Sequence, residues 1–126
     1  MIRVLDGGMG GEQIRRSAGA GTGLWSAQAL LDAPEQVVEL HKDYIEAGAR
    51  ILTTNSYSTV PSYLGKSDLA ERYVELTRLA GELARRAVIE SALASEEITV
   101  AGSLPPLSES YRPDLVPAEV EALPVY

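Results

Sequence analysis

The sequence predicts an α/β fold with parallel strands. Three short apolar stretches, at residues 2–5, 50–55 and 98–102, have the length and composition of buried strands. Two longer segments between them, at residues 34–47 and 67–94, carry apolar residues at helical spacing. A helix between consecutive strands makes the strands parallel, joined by right-handed crossovers. This order of elements is compatible with a doubly wound sheet and with a barrel.

The first predicted strand delivers a carboxylate to the edge of the sheet. Residues 2–5 are followed directly by Asp6, and four glycines come next, Gly7, Gly8, Gly10 and Gly11. Glycine tolerates the tight turns and close approaches with which a chain leaves a strand. We expect residues 6–23 to form a glycine-rich loop, with residues 17–23 as its most flexible part.

The first predicted helix is bracketed by two helix signals. Pro34 suits the first helical turn, and Glu35 is favourable at the same end. Gly48 is a typical residue just after a helix. The apolar face of this helix carries the single histidine, His41, and we expect a buried, hydrogen-bonded side chain with no catalytic role.

The later segments follow the same alternation. Ser67 or Asp68 is expected to cap the second helix, at residues 67–94, whose glutamates and arginines predict a solvated face. A Pro- and Ser-rich loop then covers residues 103–117, and a third helix is expected at residues 118–123.

Composition excludes several classes of protein. The chain has 126 residues and a net charge of −7, which disfavours binding to nucleic acids or anionic membranes. Cysteine is absent, so disulfides, thiolate nucleophiles and thiolate metal sites are excluded. No apolar run approaches the ~20 residues of a membrane span. We therefore expect a single domain at residues 1–126, in a cytoplasmic protein.

Small polar residues stand at the carboxyl ends of all three predicted strands. They comprise Asp6, Gly7 and Gly8, then the run 53–56, then Gly102 and Ser103. Ligands of parallel α/β folds lie at the carboxyl ends of strands, so we expect these residues to line one site. The competing interpretation is that they only end strands and turn the chain.

Two nucleotide-binding patterns fail. Gly8 and Gly10 begin a dinucleotide fingerprint, but its third glycine would stand at Gln13. The run 65–67 imitates the end of a phosphate-binding loop, but the required earlier glycine is Val60. A small phosphate- or nucleotide-binding domain is therefore the weaker alternative.

Several motifs, in order along nearly the whole chain, resemble the homocysteine S-methyltransferase family. The motifs are residues 5–10 (LDGGMG), 24–27 (LWSA), 41–49 (HKDYIEAGA), 53–57 (TTNSY), 101–106 (AGSLPP) and 109–114 (ESYRPD). The resemblance implies a (β/α)₈ barrel of the TIM type. The chain is then expected to be a truncated N-terminal portion with the first three strands.

The resemblance also implies a reaction and a set of substrate-binding residues. Members transfer a methyl group to the thiol of homocysteine from donors such as S-methylmethionine, S-adenosylmethionine, betaine or methylfolate, which gives methionine. Asp6 and Gly7 are then expected to hold the amino-acid head of homocysteine. Thr54, Asn55 and Ser56 are expected to line the same pocket.

The resemblance is incomplete in two respects. Gly11 stands where the family usually has a threonine. The family binds zinc through three cysteines of later strands, and this sequence has none. A thiol with a pKa of about 8.5 is mostly protonated at neutral pH, so we expect this chain to be inactive alone, with no catalytic or metal-binding residue. The alternative is a non-catalytic fragment that self-associates through an exposed strand edge or docks on a partner chain.

Overall fold

The computed structural model describes residues 2–16, 25–94 and 96–126. The described part contains six α-helices and two strands: α1 (Met9–Arg16), α2 (Gln28–Asp32), α3 (Pro34–Glu46), β1 (Ile51–Thr53), α4 (Pro61–Leu64), α5 (Tyr73–Glu90), β2 (Thr99–Ala101) and α6 (Glu119–Ala122). Short 3₁₀ helices occur at Trp25–Ala27, Gly65–Ser67, Ala70–Arg72 and Pro113–Leu115. No described helix is long and apolar enough to cross a membrane.

The sheet confirms the α/β class and the parallel arrangement. β1 and β2 are parallel, with Ile51 opposite Thr99 and Thr53 opposite Ala101. The expectation of three strands is wrong, because residues 2–5 contribute only one parallel bridge, between Leu5 and Ile51.

Residues 2–5 lie beside β1 without forming a full ladder. The carbonyl of Val4 accepts hydrogen bonds from the backbone N–H groups of Arg50 and Ile51, at 2.9 and 3.2 Å. The side chains are open to solvent, with exposed fractions of 92% for Ile2 and 55% for Val4. A buried strand needs neighbours on its far side, and the described part of the chain places none there.

A helix that the sequence analysis missed follows the first glycines. α1 covers Met9–Arg16, although each glycine in a helix lowers stability by about 1 kcal/mol relative to alanine. Contacts with the rest of the fold favour the helix, since Arg16 pairs with Asp43 of α3 at 2.5 Å and Met9 packs against the core. The predicted flexibility of residues 17–23 lies outside the described residues.

The second long helix begins later than predicted. Asp68 has a left-handed backbone, with φ of 58°, which interrupts any helix that starts at residue 67. α5 therefore begins at Tyr73 and ends at Glu90, and no side chain caps its first turn. The predicted cap at Ser67 or Asp68 is wrong, whereas α3 and α6 lie close to their predicted positions.

The core lies between the helices and on one face of the sheet. α3 packs along α5, and the buried residues shared by α2, α3, α4 and α5 are Leu30, Val37, Val38, Leu64, Leu76, Ala80, Leu83 and Ala87. A second cluster joins the end of α3 to β1 through Ile45, Ala49 and Leu52. This packing fixes β1 and holds its carboxyl end beside Asp6.

Candidate functional site

A cavity of about 800 Å³ lies at the carboxyl ends of the strands. Its polar end contains residues that follow the Leu5 bridge and β1, and its other end is aromatic. The lining residues are Leu5, Asp6, Gly7, Gly8, Met9, Gly10, Ser26, Thr53, Thr54, Asn55, Tyr57, Ser58, Tyr63, Lys66, Ser103, Glu109, Ser110 and Tyr111. The three polar strand ends therefore converge as the sequence predicted.

Asp6 is held by a single residue at the end of β1. One carboxylate oxygen accepts the backbone N–H of Thr53, and the other accepts the Thr53 hydroxyl, both at 2.8 Å. Each carboxylate oxygen has a further lone pair. Asp6 is thus oriented by the protein and can still accept a hydrogen bond from a ligand in the cavity.

The glycines after Asp6 rest on Tyr44 of α3. The Tyr44 hydroxyl donates to the carbonyl of Gly8 at 3.1 Å. A Cβ at Gly7 would lie 2.9 Å from the Tyr44 ring, so this close approach requires glycine. Burial raises the pKa of Tyr44, assisted by the negative charges of Glu12 and Asp6. The hydroxyl therefore keeps the proton that it donates to Gly8.

The backbone of this turn, which lines the cavity at Gly7 and Gly8, carries unpartnered hydrogen-bond donors. Within the described ranges, the N–H groups of Gly7 and Gly8 donate to no protein acceptor. The first N–H groups of α1, which begins at Met9, also lack partners within their helix. Such groups, at the positive end of a helix, favour an anion.

Thr54 and Ser56 join the ends of the two strands. The Thr54 hydroxyl accepts the backbone N–H of Ser103 at 3.0 Å and lies 2.8 Å from the Ser56 hydroxyl. Ser56 donates to the Ser103 carbonyl at 3.0 Å. Thr54 lines the cavity, whereas Ser56 is buried and is not among the lining residues.

Asn55 lines the cavity and has an unpartnered acceptor. Its side chain is 3% exposed, and its amide nitrogen donates to the carbonyl of Ser26 at 2.9 Å. That bond leaves the amide oxygen, Oδ1, without a partner. A buried acceptor without a donor is unfavourable by about 1–3 kcal/mol. A hydrogen-bond donor that reached this oxygen would remove that penalty.

His41 is buried as predicted, but it is not hydrogen-bonded. Its side chain is fully buried, and neither ring nitrogen has a partner. Burial lowers the pKa of His41, and the nearby Asp6 carboxylate only partly opposes this. The imidazole is therefore neutral at neutral pH, and His41 is not among the residues that line the cavity.

The aromatic end of the cavity is closed by a hydrogen-bonded serine. The Ser110 hydroxyl lies 2.6 Å from the hydroxyl of Tyr57 and 2.8 Å from that of Tyr63. The two rings meet edge to face, with centroids 6.3 Å apart. These contacts fix the loop after β2 against the segment after β1.

The residues of this chain do not fit a metal centre. The sequence has no cysteine and one histidine. Across the described ranges, no group of three or more His, Asp or Glu side chains is placed to hold a metal ion. The polar end of the cavity offers instead acceptors for an ammonium and donors for a carboxylate.

Sequence reasoning brought together most of the residues that line the cavity but missed Tyr44. The lining residues that it expected include Asp6, Gly7, Thr53, Thr54 and Asn55. The two hydrogen bonds from Thr53 to Asp6 and the contact of Tyr44 with the glycines were not predicted, because spacing alone does not reveal them.

Comparisons of the sequence with known proteins agree with the predicted family. A sequence model described as "Homocysteine S-methyltransferase" matches residues 3–124. Homocysteine S-methyltransferase of Escherichia coli is 37% identical over 113 residues, 83% of this chain and 35% of that protein. Selenocysteine methyltransferase of Astragalus bisulcatus is 39% identical over 85 residues, 67% of this chain and 25% of that protein.

Comparison of the fold gives the same answer. The homocysteine methyltransferase MmuM of Escherichia coli, solved in an oxidized and a metallated form, superposes with a TM-score of 0.74 at 35% sequence identity. The match covers 83% of this chain and 37% of the oxidized MmuM chain. This chain thus spans between a quarter and about a third of the length of the curated relatives named above.

Proposed function

This chain belongs to the homocysteine S-methyltransferase family, and we propose that the polar end of its cavity binds the amino-acid head of homocysteine. The reaction served is transfer of a methyl group from a donor such as S-methylmethionine or S-adenosylmethionine to the homocysteine thiol, which gives methionine. Residues 1–126 then form the N-terminal part of one cytoplasmic methyltransferase domain.

The unpartnered oxygen of Asn55 is the observation that carries this proposal. Asn55 and Asp6 both line the polar end of the cavity, and we assign the unpartnered Asn55 oxygen and the Asp6 carboxylate as two acceptors for one ammonium group. Hydrogen bonds between an ammonium and a carboxylate are charge-assisted and strong.

Backbone N–H groups are suited to the negative charge of homocysteine, its carboxylate. The N–H groups of Gly7 and Gly8 and the positive end of α1 are suited to the carboxylate of homocysteine. Thr54 contributes to the wall, and Ser56 supports it from behind through Ser103. The five predicted residues thus divide into ligand contacts (Asp6, Gly7 and Asn55) and residues that hold the rim (Thr54 and Ser56).

Activation of the thiol is a separate requirement. The resemblance implies zinc, which would lower the pKa of the homocysteine thiol, but this chain does not supply a fitting set of ligands. We therefore propose that residues 1–126 bind homocysteine without transferring the methyl group by themselves.

Calorimetric titration with reduced L-homocysteine tests the head-group assignment. Two analogues separate its parts: 4-mercaptobutanoate lacks the ammonium, and 3-mercaptopropylamine lacks the carboxylate. Homocysteine should bind at least about tenfold more tightly than either analogue, since each analogue loses charge-assisted hydrogen bonds.

The matched variant is Asp6→Asn, which keeps the shape of the side chain. It should weaken homocysteine binding about tenfold or more and change the affinity for 4-mercaptobutanoate little. Equal affinities for homocysteine and 4-mercaptobutanoate in the wild-type chain would contradict the proposal.

A second candidate function is non-catalytic association with another chain. It is favoured by the exposed Ile2, Val4 and Leu5, which lie along the sheet with no described neighbour on their far side. Unpaired strand edges and apolar patches promote pairing between chains. Sedimentation of the wild type and of Val4→Lys tests this. Association that Val4→Lys weakens would support the candidate, and a monodisperse wild-type monomer would exclude self-association.

A further inference from the structure

Two neighbouring residues of α3 hold the two ends of α1. The Tyr44 hydroxyl donates to the carbonyl of Gly8, the residue before α1, at 3.1 Å. The Asp43 carboxylate pairs with Arg16, the last residue of α1, at 2.5 Å. We propose that Tyr44 is a positioning residue for the carboxylate of the ligand, because it fixes the turn at Gly7 and Gly8, whose unpartnered N–H groups belong to the lining of the cavity.

The turn and α1 need this support because their own residues hold them weakly. Four of the five residues from Gly7 to Gly11 are glycines, and glycine loses more conformational freedom on folding than any other residue. None of the residues of α1 is buried, although Met9 packs partly against the core. The position of this backbone therefore depends on contacts from other elements, and the contact from Tyr44 falls on a residue that lines the cavity.

Tyr44 touches two consecutive residues of the turn. Besides the hydrogen bond to Gly8, its ring lies against Gly7, where an added Cβ would be 2.9 Å from both Cε1 and the hydroxyl oxygen. The carbonyl of the residue before a helix accepts the first hydrogen bond of that helix, and a carbonyl has two lone pairs. Tyr44 can therefore hold the start of α1 without displacing its first helical bond.

The two charges of the head group have separate supports. Asp6, assigned to the ammonium, is bound by Thr53 at the end of β1. The glycine N–H groups, assigned to the carboxylate, are held by Tyr44 from α3. Loss of the Tyr44 hydroxyl should therefore weaken the binding of ligands that carry a carboxylate and spare a ligand that carries only the ammonium. The identity of the ligand as homocysteine rests on the proposed function, whereas the support of the turn rests on the contacts of Tyr44 alone.

Tyr44→Phe tests this role, because phenylalanine keeps the ring against Gly7 and loses only the hydroxyl bond to Gly8. Calorimetric titration should show homocysteine affinity reduced about two- to fivefold, the size of one neutral hydrogen bond. The affinity for 3-mercaptopropylamine, which has the ammonium and no carboxylate, should be the same in Tyr44→Phe and the wild type. Equal losses for both ligands, or no loss for either, would overturn the inference.

Two substitutions in neighbouring helices are the controls. Tyr73→Phe removes a tyrosine hydroxyl that has no hydrogen-bond partner within the described ranges. Asp43→Asn weakens the ion pair at the other end of α1, whose side chains are 31% and 50% exposed, and exposed pairs contribute little stability. Both controls should bind homocysteine as the wild type does. A loss in either control equal to that in Tyr44→Phe would overturn the assignment to Tyr44.

A measurement without ligand separates this role from the proposed function. Order parameters of the Gly7 and Gly8 amides, from NMR relaxation, should fall in Tyr44→Phe because the turn loses a tether, while circular dichroism shows an unchanged fold. Unchanged order parameters would overturn the inference for any ligand. Absence of homocysteine binding by the wild type would count against the proposed function, and the order parameters would still decide whether Tyr44 holds the turn.

Discussion

The carboxylate of Asp6 is bound at both oxygens by Thr53, a residue 47 positions later in the chain. Any residue at the end of β1 could donate the backbone N–H bond to Asp6, whereas the second bond requires the hydroxyl of the Thr53 side chain. Thr53 therefore sets the direction of the carboxylate without contributing a charge of its own. It acts through Asp6 as a positioning residue.

Thr53→Val should weaken homocysteine binding about three- to tenfold. Valine keeps the branched shape and loses the hydroxyl bond to Asp6, which corresponds to about 1 kcal/mol or slightly more because the acceptor is charged. Calorimetric titration measures the affinity, and denaturant unfolding measures the accompanying change in stability.

The matched control is Thr77→Val. Thr77 makes one hydroxyl contact, to Thr59 at 2.6 Å, and does not line the cavity. The control should leave homocysteine affinity unchanged. An equal loss of affinity in both variants would show that Thr53 has no specific role.

Gly7→Ala should lower the free energy of unfolding by about 1–3 kcal/mol and weaken homocysteine binding. The added methyl group would lie 2.9 Å from Tyr44, so the turn or the ring must shift, and overpacking of this kind is destabilising. Gly11→Ala is the contrasting variant, because nothing lies within 4 Å of its new Cβ and alanine favours the helix. It should raise the stability by up to about 1 kcal/mol. A neutral effect of Gly7→Ala would contradict the close packing.

His41→Met should stabilise the fold by about 1–2 kcal/mol at neutral pH. The imidazole is fully buried and both of its nitrogens lack partners. Replacing an unsatisfied polar group by an apolar one of similar size removes a desolvation penalty. Denaturant unfolding at pH 7.5 measures the effect, and a loss of stability would show that the nitrogens are satisfied in solution.

The same variant should flatten the dependence of stability on pH. Burial lowers the pKa of His41 in the folded state, so below the ordinary histidine pKa of about 6.5 the unfolded state binds the proton first. The free energy of unfolding is therefore unaffected by His41 titration above about pH 6.5. It decreases as the pH falls from there towards the lowered pKa of the folded state. The wild type should lose more stability than His41→Met between pH 7.5 and 5.5, and identical pH profiles would contradict this.

Chelation should leave the melting temperature of this chain unchanged. The sequence has no cysteine, and the described residues form no cluster of metal ligands. A bound metal stabilises a folded protein by mass action, so its removal by EDTA would lower the melting temperature. Thermal unfolding with and without EDTA measures this, and zinc content by mass spectrometry is the independent check. A decrease of several degrees would show a metal site that these residues were not expected to form.

The parts of the fold that could be predicted depend on signals within short segments. Pro34 and Gly48 bracket α3 almost to the residue, and alternation of strands and helices identified the parallel sheet. α1 was missed because Gly10 and Gly11 argue against a helix. Its contact from Arg16 to Asp43 joins residues far apart in sequence.

The residues that line the cavity show the same division between local and distant signals. Asp6, Gly7, Thr54 and Asn55 were expected there because each stands at, or just after, the end of a predicted strand. Residues 2–5 look like a strand by composition, but strand formation depends on pairing with neighbours, and among them only Leu5 forms a β-bridge. The unpartnered oxygen of Asn55 could not be predicted, because it depends on the hydrogen bond that the amide nitrogen donates to the distant Ser26 carbonyl.

The hydroxyl contacts of Thr54 and Ser56 with Ser103 have a consequence for the order of folding. They connect groups 47–49 positions apart. The rim, which is the edge of the cavity formed by the carboxyl ends of β1 and β2, is therefore complete only after β2 has paired with β1. A ligand at this rim therefore selects fully docked molecules over molecules in which β2 has frayed. The amide hydrogen of Ser103 should accordingly exchange with solvent deuterium more slowly when homocysteine is bound, which makes that amide a local reporter of rim closure.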